Sequence, residues 1–309
     1  MTATIDRPEA PDVGSGFPTV ASRVRDWAAS NPTGVAMREK DFGIWQEHTW
    51  ERTWDDVVTA AHGLLALGVG VGDVVSIHSE DRPEWVTLDL AAVAIRAITT
   101  GLYPTNPMAE VAYLLNDSGA KVHFAEDQEQ VDKVVEAGPG TFPNVTSILY
   151  VEPRGLTTYE DPRLMFWDDF MELGRRHRAE HAGAVERHMA EATADDIITL
   201  VYTSGTTGPP KGAMLTNTNS TFCIDMVINS DGRVAGDVKP NPSDEILTYL
   251  PLCHVAERIF STWTMVGNGV TLNFAESIET VQANLREIQP TLFFAVPRIW
   301  EKIHATVLI

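Results

Sequence analysis

The chain of 309 residues is 44% hydrophobic and 21% charged, which suits a globular protein with a substantial core. Its 43 acidic against 23 basic residues leave a formal net charge of -20, and this argues against a nucleic-acid partner, which needs a basic footprint. Cys223 and Cys253 make neither a disulfide framework nor a metal-ligand spacing, no apolar run approaches the roughly 18 residues of a membrane span, and no basic start leads into an apolar leader. A reduced, cytoplasmic setting is the simplest expectation, with at most peripheral contact with membranes.

Residues 1–16 carry Pro, Gly and Asp with few large apolar groups and read as a loose tail. Trp54, Val57, Val58, Ala61, Leu64 and Leu65 recur at helical spacing, which predicts a helix over Thr53–Leu67 capped by Thr53 or Asp55. A glycine-rich break follows, and Val74–Ile77 reads as a buried strand. A helix over Pro83–Ala97 starts with proline in its first turn. Helix Pro107–Leu115, strand Lys121–Ala125, helix Gln128–Glu136 and strand Ser147–Val151 repeat the alternation. Asp161–His188 is polar. Its Arg175-Arg176-His177-Arg178 run reads as a solvated helix face, because Glu172, Glu180 and Glu186 lie among the cations.

From Asp196 the order is a strand to Tyr202, a hydroxyl-rich loop, a helix over Thr216–Ile228, a loop over Ser230–Ser243 and a strand over Glu245–Leu250. Helix Ala256–Val266, strand Val270–Phe274, helix Ser277–Ile288, strand Thr291–Val296 and helix Pro297–Val307 complete it. This alternation predicts an α/β fold with parallel-rich sheets flanked by helices on both faces. Ligands in such folds sit at the carboxyl ends of the strands. The expected division is a first α/β subdomain over about 17–190 and a second over about 191–309 that holds the loop.

That loop, Tyr202-Thr203-Ser204-Gly205-Thr206-Thr207-Gly208-Pro209-Pro210-Lys211-Gly212, is the most specific stretch of the chain. Glycines let backbone approach a ligand, and successive N–H groups make an anion-binding concavity. Hydroxyls add donors and Lys211 adds a flexible charge. The loop is built for a polyphosphate, yet it departs from the common Gly-x4-Gly-Lys-Ser/Thr pattern, since no Ser or Thr follows Lys211. Two further segments follow strand patterns directly. One is Leu250-Pro251-Leu252-Cys253-His254-Val255-Ala256-Glu257-Arg258, with a histidine at a strand-to-helix turn. The other is Thr291-Leu-Phe-Phe-Ala-Val296-Pro297-Arg-Ile-Trp-Glu-Lys302.

The eleven-residue loop resembles the phosphate-binding signature of the adenylate-forming (AMP-binding) enzymes, which include acyl-CoA synthetases, luciferases and peptide-synthetase adenylation domains. The two later segments are similar to segments of long-chain fatty acid–CoA ligases that border the nucleotide site and the acyl pocket. Thr53-Trp54 at a helix start, Asp81-Arg82-Pro83-Glu84-Trp85 and Gly101–Asn106 also look like family positions. The resemblance runs from about residue 20 to the end of the chain.

It implies the family's N-terminal domain, with αβαβα layering, in truncated form. It also implies a two-step reaction: a carboxylate attacks the α-phosphate of Mg2+-bound ATP to give an acyl-adenylate, and coenzyme A then takes the acyl group. Thr203, Ser204, Gly205, Thr206, Thr207 and Gly208 would contact the β- and γ-phosphates, and Lys211 would contact phosphate or hold the loop closed. His254 would border the adenylate and the acyl carboxyl. Val296 and Pro297 would help wall the tunnel for a long-chain fatty acid. The family's adenine-stacking and magnesium-binding segment, ribose aspartate, hinge and C-terminal domain with its catalytic lysine are not found here, so no metal ligand is expected in this chain and ligation by it alone is not. A ligase that loads a carrier protein, and a non-catalytic nucleotide- or acyl-binding module, are the alternatives. Related enzymes are often dimers, which makes a homodimer an expectation.

Overall fold

The computed structural model describes residues 17–203, 208–229 and 239–307. The chain opens with α1 (Val20–Ser30), β1 (Val35–Asp41), β2 (Ile44–Thr49), α2 (Trp50–Ala66), β3 (Val74–His78), α3 (Pro83–Ala94), β4 (Ile98–Leu102), α4 (Met108–Ser118), β5 (Ala120–Ala125) and α5 (Gln128–Val135). It continues with β6 (Ser147–Tyr150), β7 (Leu164–Phe166), α6 (Trp167–Glu180), α7 (Ala184–Ala190), β8 (Ile197–Thr203), β9 (Lys211–Thr216), α8 (Asn217–Asn229) and β10 (Glu245–Thr248). Next, α9 (Val255–Arg258) runs through a π-helical turn, Ile259–Trp263, into α10 (Thr264–Asn268). The described chain closes with β11 (Thr271–Phe274), α11 (Val281–Ile288) and α12 (Pro297–Val307).

These strands make two sheets. The larger has seven strands in the order β7-β6-β5-β3-β4-β8-β9, parallel except for β9. The smaller has four, β10-β11-β1-β2, parallel except for β2. The sheets interleave in sequence. β1 and β2 belong with β10 and β11, whereas β8 and β9 belong with the strands before residue 190.

Burial follows from composition. Every residue of β3 is buried, as expected of a strand covered on both faces. α3 is apolar around its circumference and buries every residue except Glu84. It touches β4 of the large sheet and β1 of the small one. The main core, with Trp50, Trp85, Leu88 and Phe124, lies between the sheets. A second core joins α4 and α5 to the opposite face of the large sheet, and a third sets Val281 of α11 against Leu247 of β10. Helices therefore lie outside and between two sheets, the αβαβα order.

Several expectations need correction. Thr49, not Thr53 or Asp55, caps α2: its hydroxyl accepts from the Arg52 N–H at 3.2 Å, and Thr53 is buried inside the helix. Thr291–Val296 is not a strand. Leu292 makes one bridge to Ile246, while Phe293 and Phe294 are engaged by ring stacking on Tyr249 and Phe260. α11 begins at Val281, since Ser277 and Thr280 hydrogen-bond each other's backbone in a preceding turn. Helix α1 and the β1–β2 hairpin join the elements anticipated from the sequence. The hairpin turns on Phe42 and Gly43, both at positive φ (46° and 78°), the pair of conformations a two-residue hairpin favours.

Candidate active site

β8 sits between β4 and β9 and ends at an exposed Thr203. β9 returns antiparallel with Lys211 opposite Thr203, so the hydroxyl-rich stretch connects the two strands at the carboxyl end of β8. Ser204, Gly205, Thr206 and Thr207 lie outside the described residues. Gly208 has φ +91°, a conformation that L side chains resist. Two tyrosines fasten the hairpin's base to α4: Tyr113 Oη donates to the Pro210 carbonyl at 2.8 Å, and Tyr202 Oη donates to the Asp117 carboxylate at 2.7 Å. Burial and the Asp117 carboxylate push the Tyr202 phenol far above its ordinary range. Thr203 and Lys211 offer donors above this base, a set that suits an anion.

The second constellation is built by close approach. Leu252 N–H donates to Asp81 Oδ1 at 2.8 Å, which ties the turn after β10 to the end of β3. Cys253 packs on Gly101 of β4, where a Cβ would stand 2.6 Å from Cys253 Cβ, so only glycine admits the turn. The turn thus lies against the strand next to β8. His254 is exposed and caps α9, its Nδ1 accepting from the Ala256 N–H at 3.1 Å. In the neutral ring that bond places the proton on Nε2, leaving a donor for a ligand.

The next two residues turn inward. Arg258 is buried, donates from Nη1 to Thr199 Oγ1 at 2.6 Å, and pairs through Nη2 with the buried Asp89 of α3. Its guanidinium lies 5.3 Å from the Trp85 ring and 5.9 Å from that of Trp263. Glu257 is also buried, and burial first, then the charge of Asp81, raises its carboxyl to about 9. Burial likewise raises Asp81 well above the usual carboxylate range and pushes the Cys253 thiol up. Such a thiol is a poor nucleophile.

The third segment packs beside the second. Phe294 stacks on Phe260 with centroids 4.2 Å apart, and Phe293 stacks on Tyr249 at 5.7 Å. Trp300 Nε1 donates to the Ala295 carbonyl at 3.1 Å. Val296 and Pro297 are exposed where α12 begins. The fold thus gathers the His254 turn and the Val296–Pro297 segment, and sets the former against β4, beside the strand that leads into the hydroxyl-rich stretch.

None of the site residues expected from the sequence lines the cavity of about 590 Å³ found where β3, β5 and β11 end. That cavity is walled by Glu39, Asp41, Glu80, Asp81, Glu126, Glu276 and Glu279 against Lys40 and Arg82, a poor match for a polyphosphate. No group of three His, Cys, Asp or Glu side chains among the described residues could hold a metal ion. No described helix is long and apolar enough to cross a membrane.

Sequence reasoning did not assign Asp89, Thr199 and Arg258 their joint role. The signal was there in Asp89, a carboxylate set between Leu88 and Leu90 in the apolar body of α3, which at such a position has to be paired.

The family profile of AMP-binding enzymes matches residues 24–307, and the chain belongs to that family. The chain is similar to the long-chain-fatty-acid–CoA ligase FadD15 of Mycobacterium tuberculosis, with 31% identity over 287 residues covering 93% of this chain and 45% of that protein. It is also similar to the long-chain-fatty-acid–CoA ligase ACSBG2 of Rattus norvegicus, with 30% identity over 279 residues covering 88% and 40%. It spans less than half the length of these relatives. Among solved structures, the N-terminal domain of FACL13 from Mycobacterium tuberculosis superposes with a TM-score of 0.70 at 22% identity, covering 92% of this chain and 64% of that one. A Mycobacterium tuberculosis fatty acyl CoA synthetase gives 0.70 at 22%, covering 91% and 50%. These structural likenesses establish the fold.

Proposed function

We propose that this chain is the N-terminal portion of a cytoplasmic ligase that activates a long-chain fatty acid with MgATP and passes the acyl group to coenzyme A. The observation that carries this reading is the pairing of β8 with β9 at the carboxyl end of β8, with Thr203 and Lys211 opposite each other on a base pinned by Tyr113 and Tyr202. In the reaction an anion attacks a tetra-anion, so fixed donors at the phosphates lower the barrier. Thr203, Ser204, Gly205, Thr206, Thr207 and Gly208 supply hydroxyl and backbone donors, and Lys211 supplies charge. His254, with its Nε2 proton, hydrogen-bonds the reacting carboxyl or the adenylate. Val296 and Pro297 border the acyl chain, whose burial yields about 0.8 kcal/mol per methylene.

Palmitate-dependent ATP–pyrophosphate exchange tests the reading. The chain is assayed beside the polypeptide extended to the end of its reading frame. Exchange is expected in the extended polypeptide alone, because the segments to which the resemblance assigns adenine stacking, magnesium binding and the catalytic lysine are not found among these 309 residues. Silence in the extended polypeptide with a range of fatty acids would remove the adenylating function.

A further inference from the structure

The turn that carries His254 follows a strand of the small sheet, and the hydroxyl-rich hairpin belongs to the large one. No strand ladder fixes one against the other. Cys253 packs on Gly101 of β4, and a buried charged side chain reaches β8 itself. Arg258, four residues after His254, donates to Thr199 Oγ1 at 2.6 Å and pairs with Asp89. Thr199 stands on β8, four residues before Thr203. Its hydroxyl donates to the Thr99 carbonyl of β4 at 3.0 Å, and Thr99 Oγ1 donates to Asp89 Oδ1 at 2.6 Å. Four buried residues thereby close a ring through α3, β4, β8 and α9.

The choice of arginine has a geometric meaning. Its planar fork addresses two partners in fixed directions, which a lysine ammonium does not reproduce. A buried ion pair is weak evidence for stability, since apolar replacements of equal volume often serve as well. What this one adds is a defined relation between two segments of different sheets.

We propose that Arg258 is a positioning residue that locks the His254 turn to β8, so that the histidine and the hydroxyl-rich hairpin keep one spatial relation when a ligand binds. This rests on reading those two segments as one ligand site. A packing residue would hold the core together without coupling the segments. A positioning residue transmits the effect of a ligand on one to the other.

Amide hydrogen exchange on the polypeptide extended to the end of its reading frame, with and without MgATP, separates the two in wild type, Arg258→Lys and Thr199→Val. The valine variant keeps the Arg258–Asp89 pair and removes the hydroxyl that ties Arg258 to β8, along with that hydroxyl's bond to the Thr99 carbonyl, so it decides the matter if Arg258→Lys fails to fold. Without nucleotide, the amides of Leu252, His254 and Ala256 are expected to exchange at least about fivefold faster in either variant. With MgATP, exchange in wild type slows at 199–203 and at 252–256 together, whereas in the variants it slows at 199–203 only. Exchange at 252–256 that stays as in wild type in both variants overturns the lock. A wild type that ignores MgATP at both segments, while the nucleotide-free change persists, overturns the ligand site and the positioning role with it, and leaves a structural tie. The two failures are thus read apart.

Discussion

Replacing Glu257 by glutamine should stabilise the protein at neutral and alkaline pH. The carboxyl is buried on α9, and burial together with Asp81 raises it to about 9 from an ordinary 4.5. Between those values the unfolded chain releases this proton and the folded chain keeps it. Stability therefore falls as pH rises, by about 1.4 kcal/mol per unit for this one group. From about pH 5.5 to about pH 8 the loss is roughly 3 kcal/mol. Glutamine keeps the shape, cannot ionise, and lacks that slope. Urea unfolding at several pH values, followed by tryptophan fluorescence, reads the difference. Wild type and Glu257→Gln should draw apart by roughly 3 kcal/mol over that interval, in favour of the variant. Two profiles that stay parallel would refute the reasoning, because they would mean that Glu257 reaches solvent or a cation in the folded protein.

Two further outcomes follow from the same packing. Gly101→Ala would bring a methyl to 2.6 Å from Cys253 Cβ and 2.7 Å from its Cα. It should cost about 1–3 kcal/mol in a thermal or denaturant melt and displace the His254 turn, and an unchanged melt would contradict the close approach. His78 is buried and held to about 4 from an ordinary 6.5, chiefly by burial and then by the charge of Lys133. The unfolded chain takes up this proton below 6.5 and the folded chain does not until about 4, so stability is lost as pH falls through that window. His78→Gln should flatten the acid limb of a stability profile, and a limb of unaltered steepness would count against it.

The alternation of elements was legible because buried parallel strands and amphipathic helices carry different periods. Val74–His78 and α5 fall within a residue of where the pattern puts them. The hairpin at β1 and β2 was harder to see. Its strands are mixed in polarity because one pairs at a sheet edge, and its turn signal is a Phe-Gly pair in place of Asn-Gly. Thr291–Val296 misled for the opposite reason. Its apolar run is half-buried through aromatic stacking, and periodicity does not distinguish that from a ladder. The hydroxyl-rich stretch stood out by its order of residues. The inward-facing half of the His254 segment did not, because Glu257 and Arg258 derive their roles from Asp81, Asp89 and Thr199, which are far away in sequence.

The pairing of β1 with β11 also has a consequence in time. Arg38 and Asn273, bonded side chain to side chain across that pair, are separated by 235 positions. A ribosome adding about 5–20 residues per second needs roughly 10–50 seconds to make that much chain. Until then one edge of the nascent hairpin has no native neighbour, and its amides are open to pairing with another chain. The order of synthesis therefore makes the first strand of the small sheet wait for the last, and that interval is the natural moment for a chaperone to engage this polypeptide.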